Sequence, residues 1–153
     1  MPRPEAPPSS RYAPWLYLAL GLFVLRVLAQ PLALILPAGT LPSFESWHSG
    51  ALPYPLLVAA QIAILAWLCL TAWRVARGAV RPHRKRGKLW IAAACVYGGA
   101  MGLRLLLGAT VFEDIRWFAS PLPTVFHFVL AGYLFAYGRF HVRGAPGASS
   151  MAP

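Results

Sequence analysis

The chain has 153 residues, of which 58% are hydrophobic and only 12% charged, and its mean hydropathy is +0.57. Soluble domains contain about 25% charged residues, so this composition excludes an ordinary soluble domain and indicates a chain that folds in a bilayer. The length suits a single small helical bundle, and the net charge of +10 does not indicate nucleic-acid binding, because no recognised motif for it is present.

The first half of the chain contains a short tail and two apolar runs. Residues 1–13 hold four prolines and predict a disordered tail. The apolar runs cover residues 15–36 and 54–76, and a Pro- and Gly-punctuated loop separates them. The first run is longer than the apolar core of a signal peptide, which is about 7–15 residues, so we predict a retained helix.

The second half repeats this arrangement after a basic loop at residues 77–88. Apolar runs cover residues 89–112 and 121–138, and a polar tail follows at residues 139–153. A helix needs about 20 residues to cross about 30 Å of hydrocarbon, and every backbone group in lipid must be bonded internally. The sequence therefore predicts an all-α fold, an antiparallel four-helix bundle integral to the membrane.

The distribution of basic residues predicts the orientation of this bundle. Eleven of the 14 Lys and Arg residues lie in the two tails or near the basic loop, while the opposite side holds only Arg116. Cytoplasmic loops are enriched in Lys and Arg, so we expect both termini in the cytoplasm. Arg outnumbers Lys by twelve to two, which is typical of a GC-rich bacterium and so favours a bacterial inner membrane.

Two pairs of segments suggest an internal repeat. Residues 21–30 (GLFVLRVLAQ) align with residues 99–108 (GAMGLRLLLG), and the arginines coincide. Residues 47–53 (WHSGALP) align with residues 117–123 (WFASPLP) through Trp, Leu and Pro. The pattern predicts two helical hairpins related as parallel repeats, and the alternative is coincidence between apolar segments of biased composition.

The third run also carries a face of small residues, formed by Gly98, Gly99 and Gly102 with Ala94 nearby. Small residues allow helix backbones to approach closely in membranes. We therefore expect the third helix to pack tightly against a neighbour along this face.

Polar side chains from all four runs fall at similar depth in the outer half of the bundle. These are Arg26, Gln30, Gln61, Arg104 and His127, and three acidic residues, Glu45, Glu113 and Asp114, lie on the same side. A charge inside a membrane is costly and usually faces the bundle interior or a partner. The sequence predicts a polar pocket that binds a lipid-like or small anionic ligand, whereas helix–helix hydrogen bonding without a ligand is the alternative interpretation.

Several functions stay open at this level. We favour a non-enzymatic membrane protein that binds such a ligand or serves as an accessory subunit. The alternatives are a small oligomeric transporter or channel and, less favoured, a membrane enzyme acting on a lipophilic substrate.

No metal site and no particular cofactor are predicted. Expected partners are membrane lipids and other copies or subunits. The residues expected to contact lipid headgroups are Arg81, Arg84, Lys85, Arg86 and Lys88.

Overall fold

The computed structural model describes residues 8–37, 39–47, 52–112, 114–119 and 121–145, and of Glu45, Arg116 and four other helical residues it describes only the backbone. The helices are α1 (Pro8–Ile35), a 3₁₀ turn (Phe44–Trp47), α2 (Tyr54–Ala76), α3 (Arg84–Thr110), the short α4 (Arg116–Ala119) and α5 (Pro121–Arg143). The described part of the chain contains no strand. The predicted all-α fold is therefore confirmed.

Three of the four long helices are long and apolar enough to cross a membrane. They are Arg11–Ile35 within α1, Tyr54–Ala76 and Arg84–Thr110. Helix α5 is not among them, and its 23 residues include two prolines, two histidines, two tyrosines and two arginines. The sequence predicted four spans; three helices have the required length and apolarity, and the insertion of all four in a membrane stays a prediction.

The bounds of α2 match the predicted run. Helices α1 and α3 begin earlier, and α5 ends later, than the sequence indicated. Helix α1 begins at Pro8, so residues 8–13 are helical where a disordered tail was predicted. The reason is tertiary contact, because Ala13 is buried and the Tyr12 ring lies 6.3 Å from that of Phe140.

Helices α3 and α5 are also extended on this side. Helix α3 begins at Arg84, within the predicted basic loop, and α5 continues to Arg143, within the predicted tail. Phe140 and His141 are almost fully buried, at 2% and 3% exposure. Burial of these side chains holds the last turn of α5 in helical form, where composition alone indicated a polar tail.

Helix α5 lies between α3 and α1, and α1 also packs along α2. The main apolar core joins α1, α2 and α5 in the half of the bundle nearer the basic loop. Its buried members are Leu16, Phe23, Leu68, Ala72, Val75, Tyr133 and Phe140. The Tyr133 hydroxyl donates to the Leu68 carbonyl at 2.7 Å, so the one phenol in this core is hydrogen-bonded.

The closest contact between α3 and α5 is made by two glycines. A Cβ added at Gly87 would lie 2.7 Å from the Gly138 carbonyl oxygen, and one at Gly138 would lie 2.9 Å from that of Gly87. The small-residue face predicted on α3 contributes ordinary packing, since a Cβ at Gly98 would lie 3.5 Å from that of Ala131. Open space surrounds Gly99. The tightest approach is thus at a glycine that the sequence placed in a loop.

One histidine connects the start of α3 to the end of α5. The backbone N–H of His83 donates to Nδ1 of buried His141 at 3.1 Å. Nδ1 can accept this hydrogen bond only while it carries no proton, so the contact selects the ring form with a free Nδ1 lone pair.

We predict that Gly87→Ala destabilises the protein while Gly99→Ala does not. The new methyl at residue 87 meets backbone atoms of α5, which must shift, and overpacking of this kind costs about 1–3 kcal/mol. Thermal unfolding in detergent is the measurement, and Gly99→Ala in the same helix is the matched control. Equal melting temperatures for the two variants would contradict the close α3–α5 contact.

Candidate functional site

The polar residues of α1 and α2 form one connected group. The Gln61 amide donates to Gln30 Oε1 at 2.9 Å, and the Gln30 amide donates to the Trp47 carbonyl at 3.4 Å. Arg26 donates to the same carbonyl through Nη2 at 3.5 Å. Exposure of Arg26, Gln30 and Gln61 is only 7%, 1% and 3%, so the group is enclosed.

Local sequence explains how this group forms. Arg26 and Gln30 are four residues apart and so lie on one face of α1. The 3₁₀ turn ends at Trp47, whose indole N–H donates to the Pro42 carbonyl at 3.1 Å. The Trp47 ring packs 6.1 Å from the ring of Phe126 on α5. The connection between α1 and α2 thereby places one backbone carbonyl against both α1 side chains.

Arg104 makes the corresponding contact in the second half of the chain. Its Nε donates to the Trp117 carbonyl at 3.0 Å, and Nη2 donates to the same oxygen. The guanidinium carbon lies 4.5 Å from the centre of the Trp117 ring, while that of Arg26 lies 5.6 Å from the Phe126 ring. The two arginines that correspond in the sequence repeat therefore bond to the carbonyls of the two tryptophans that correspond in it.

A tyrosine that sequence reasoning missed completes this set of polar side chains. We call the set the outer polar layer, and its members are Arg26, Gln30, Gln61, Tyr97, Arg104 and His127. The Tyr97 hydroxyl and His127 Nδ1 form a short hydrogen bond between α3 and α5, with the rings edge to face at 5.7 Å. Arg26 and Arg104 both interact electrostatically with Tyr97 and with His127. Tyr97 precedes Arg104 by seven residues, and this spacing, which puts both on one helix face, is the signal that could have found it.

The predicted acidic partners of the arginines are either exposed or without a described side chain. Asp114 is exposed, Glu113 lies outside the described residues, and the side chain of Glu45 is not described. Among the side chains that the structure describes, neither Arg26 nor Arg104 forms an ion pair, and their described partners are carbonyls and aromatic rings. The described layer thus carries two buried positive charges.

The predicted headgroup residues divide into two sets at the other end of the bundle. Arg81 and Arg86 line an open cavity of about 720 Å³, together with Arg74 of α2. Arg84, Lys85 and Lys88 are exposed and do not line it. This cavity, which we call the inner cavity, was not predicted, because it depends on how α2, α3 and α5 are placed.

No family model, curated protein or solved structure matches this chain.

We predict that Gln30 and Gln61 are energetically coupled. Gln30→Leu leaves the Gln61 amide without its partner and removes one of the two donors to the Trp47 carbonyl, whereas the double variant Gln30→Leu/Gln61→Leu removes both ends of the amide–amide bond. The double variant should therefore cost less than the sum of the single changes, by about 0.6–1.7 kcal/mol, the range found for polar contacts between membrane helices.

The measurement is the free energy of unfolding in mixed micelles for the four members of the cycle. Gln61→Leu combined with Thr110→Val serves as the control pair, because Thr110 bonds only within its own helix turn in the described structure. Additivity for Gln30 and Gln61 within about 0.3 kcal/mol would contradict the connected layer.

Proposed function

We propose that this chain is an integral membrane protein whose four long helices span the bilayer as an antiparallel bundle. The support is the direction in which the apolar residues face. In the most apolar stretches of α1, α2 and α3, only 22%, 17% and 17% of the residues are buried. A monomeric soluble protein rarely exposes such continuous apolar surface, whereas lipid covers it without cost. Helix α5 has the 23-residue length of α2 and lies between α1 and α3, which supports it as the fourth span.

The proposed orientation has both termini and the basic loop in the cytoplasm, in a bacterial inner membrane. Arg74, Arg81 and Arg86 gather around one cavity at the end where the basic loop joins α2 to α3. Eleven basic residues on that side against one on the other give the asymmetry that the positive-inside rule uses.

We predict that a reporter fused after Pro153 will report the cytoplasm. A fluorescent protein that matures only in the cytoplasm should fluoresce there, and alkaline phosphatase at the same point should be inactive. The same two reporters inserted at Gly39 of the first outer loop, which is exposed, should give the opposite pair of results. Identical results at both points would contradict the proposed topology.

The function that the site supports best is binding of a lipid-like or small anionic ligand in the outer polar layer. The observation that carries this proposal is the pair of buried arginines, Arg26 and Arg104, without a described carboxylate beside them. Burying an ion costs several kcal/mol even after relaxation, and carbonyl dipoles offset only part of that cost. An anionic or carbonyl-bearing group near the Tyr97–His127 pair would offset more, since both arginines act on that pair.

A transporter is the second candidate, and the equivalent contacts of the two hairpins favour it. Arg26 with Trp47 and Arg104 with Trp117 support a parallel repeat, since the residues at matching positions make matching bonds. In several transporters a substrate site lies at the interface of such repeats. Flux of small organic anions into proteoliposomes, lost on Arg104→Gln, would favour this candidate over simple binding. An accessory role in a larger complex would appear as partner chains in the same preparation.

We predict that the purified protein carries a small molecule that Arg26→Gln and Arg104→Gln lose. The membrane-extracted, full-length protein is examined by native mass spectrometry and by lipid and metabolite extraction. Occupancy should fall about tenfold or more for each arginine, because a charge-assisted hydrogen bond is lost. Arg84→Gln, which removes an exposed charge outside the layer, is the matched control and should keep full occupancy.

A second variant separates ligand loss from misfolding. Tyr97→Phe removes only the hydroxyl that bonds His127 and leaves both arginines with their loop carbonyls. It should lower occupancy with little change in melting temperature. A wild-type protein with neither a small molecule nor a partner chain would contradict the proposal, and so would arginine variants that keep the same molecule at full occupancy.

A further inference from the structure

The inner cavity exists because two consecutive helices do not pack along each other. Helix α2 packs along α1, and α3 packs along α5, so a gap is left where the basic loop crosses from α2 to α3. The rings of Trp67 and Trp90 come together across this gap, 5.5 Å apart. Between these rings and the loop lies the open volume of about 720 Å³.

Cationic side chains converge on this cavity from three segments of the chain. Arg74 comes from α2, Arg81 from the basic loop and Arg86 from the first turn of α3. No Asp or Glu is among the described residues that line the cavity. The cavity therefore carries a formal charge of +3 with no internal counter-ion among the residues that line it.

The remaining walls are largely apolar and aromatic. Leu89, Trp90 and Val80 line the cavity together with Tyr137, whose ring lies 5.8 Å from that of Trp90 and 4.7 Å from that of His141. A volume of this size belongs to the range of about 300–1,000 Å³ that is usual for small-molecule sites, and it exceeds what a bare phosphate fills. The chemistry of the walls suits a ligand with an anionic head and an apolar body.

We propose that the inner cavity binds the phosphate head of an anionic amphiphile, with the phosphate held by Arg74, Arg81 and Arg86 and the adjoining apolar portion against Leu89, Trp90 and Tyr137. Arginine is suited to this role because its planar guanidinium offers paired donors to phosphate oxygens. The same chemistry occurs in an anionic phospholipid headgroup and in a soluble organic phosphate. This site is separate from the outer polar layer and does not depend on a ligand there.

General attraction of a basic surface to anionic lipid is the competing explanation, and the chain itself offers the control. Arg84, Lys85 and Lys88 lie close to Arg86 in the first turns of α3 and are exposed, as Arg74, Arg81 and Arg86 also are, but they do not line the cavity. Replacing these three residues removes the same charge as replacing Arg74, Arg81 and Arg86. Surface attraction, at about 1 kcal/mol per basic residue, would respond equally to both replacements, whereas a built site responds to one.

The test uses the full-length protein in nanodiscs of phosphatidylcholine, titrated with phosphatidylglycerol, with glycerol 3-phosphate or with inorganic phosphate. Native mass spectrometry counts the bound molecules. We expect saturable binding that falls about tenfold or more in the Arg74→Gln/Arg81→Gln/Arg86→Gln variant and less than about threefold in the Arg84→Gln/Lys85→Gln/Lys88→Gln variant. Saturation by phosphatidylglycerol alone identifies a lipid source, and saturation by glycerol 3-phosphate identifies a soluble organic phosphate. Equal saturation by inorganic phosphate would overturn the part of the proposal that seats an apolar portion in the cavity.

A cavity-filling variant keeps the test independent of charge. Ala79→Trp places a large ring at the cavity wall, so it should block binding while all three arginines remain. Equal losses in the two triple variants, binding that survives Ala79→Trp in a folded protein, or no saturable binding by any of the three probes would overturn the proposal. None of these variants changes Arg26 or Arg104. Ligand occupancy of the outer polar layer is measured in the same spectra, so the two proposals are tested independently.

Discussion

The positions of two buried guanidinium groups govern the half of the bundle farther from the basic loop. Arg26 and Arg104 sit in helices whose other residues are mostly apolar, and each must find oxygen atoms near it because unpaired burial of a charge is costly. The oxygen in both cases is a backbone carbonyl at a tryptophan, Trp47 or Trp117, in the segment that connects one helix to the next. The connections are therefore held against the helices by electrostatics as well as by packing.

The same contacts join several helices. The Trp47 ring packs against Phe126 of α5 while the Trp47 carbonyl accepts from α1, and Arg26 lies over the same Phe126 ring. The Tyr97–His127 hydrogen bond joins α3 to α5 at the same layer. Helix α5 thus takes its place between α1 and α3 through polar and aromatic contacts, and this position is consistent with its lower hydropathy.

The half of the bundle nearer the basic loop is built differently, from apolar packing and one close backbone contact. Gly87 and Gly138 let α3 and α5 approach until no Cβ fits between them, and Tyr133 and Phe140 fill the space between α5, α1 and α2. Since α2 takes α1 as its neighbour and α3 takes α5, the space between α2 and α3 stays open toward the basic loop. A cavity lined by arginines is the direct result of this pairing.

Hydropathy and charge in the sequence alone were enough to predict an all-helical chain and the start and end of α2, since both depend on local composition. The sequence also indicated that Gln30 and Gln61 lie at the same level of neighbouring helices, because a helix advances by 1.5 Å per residue. The sequence could not show that Gln61 bonds Gln30, that loop carbonyls receive the arginines, or that Tyr97 joins His127, since each contact needs two helices brought into register. Nor could it place Gly87 in a helix or reveal the inner cavity. Those features follow from burial of Phe140 and His141 and from the choice of helix neighbours, which are properties of the packed bundle and of no single segment.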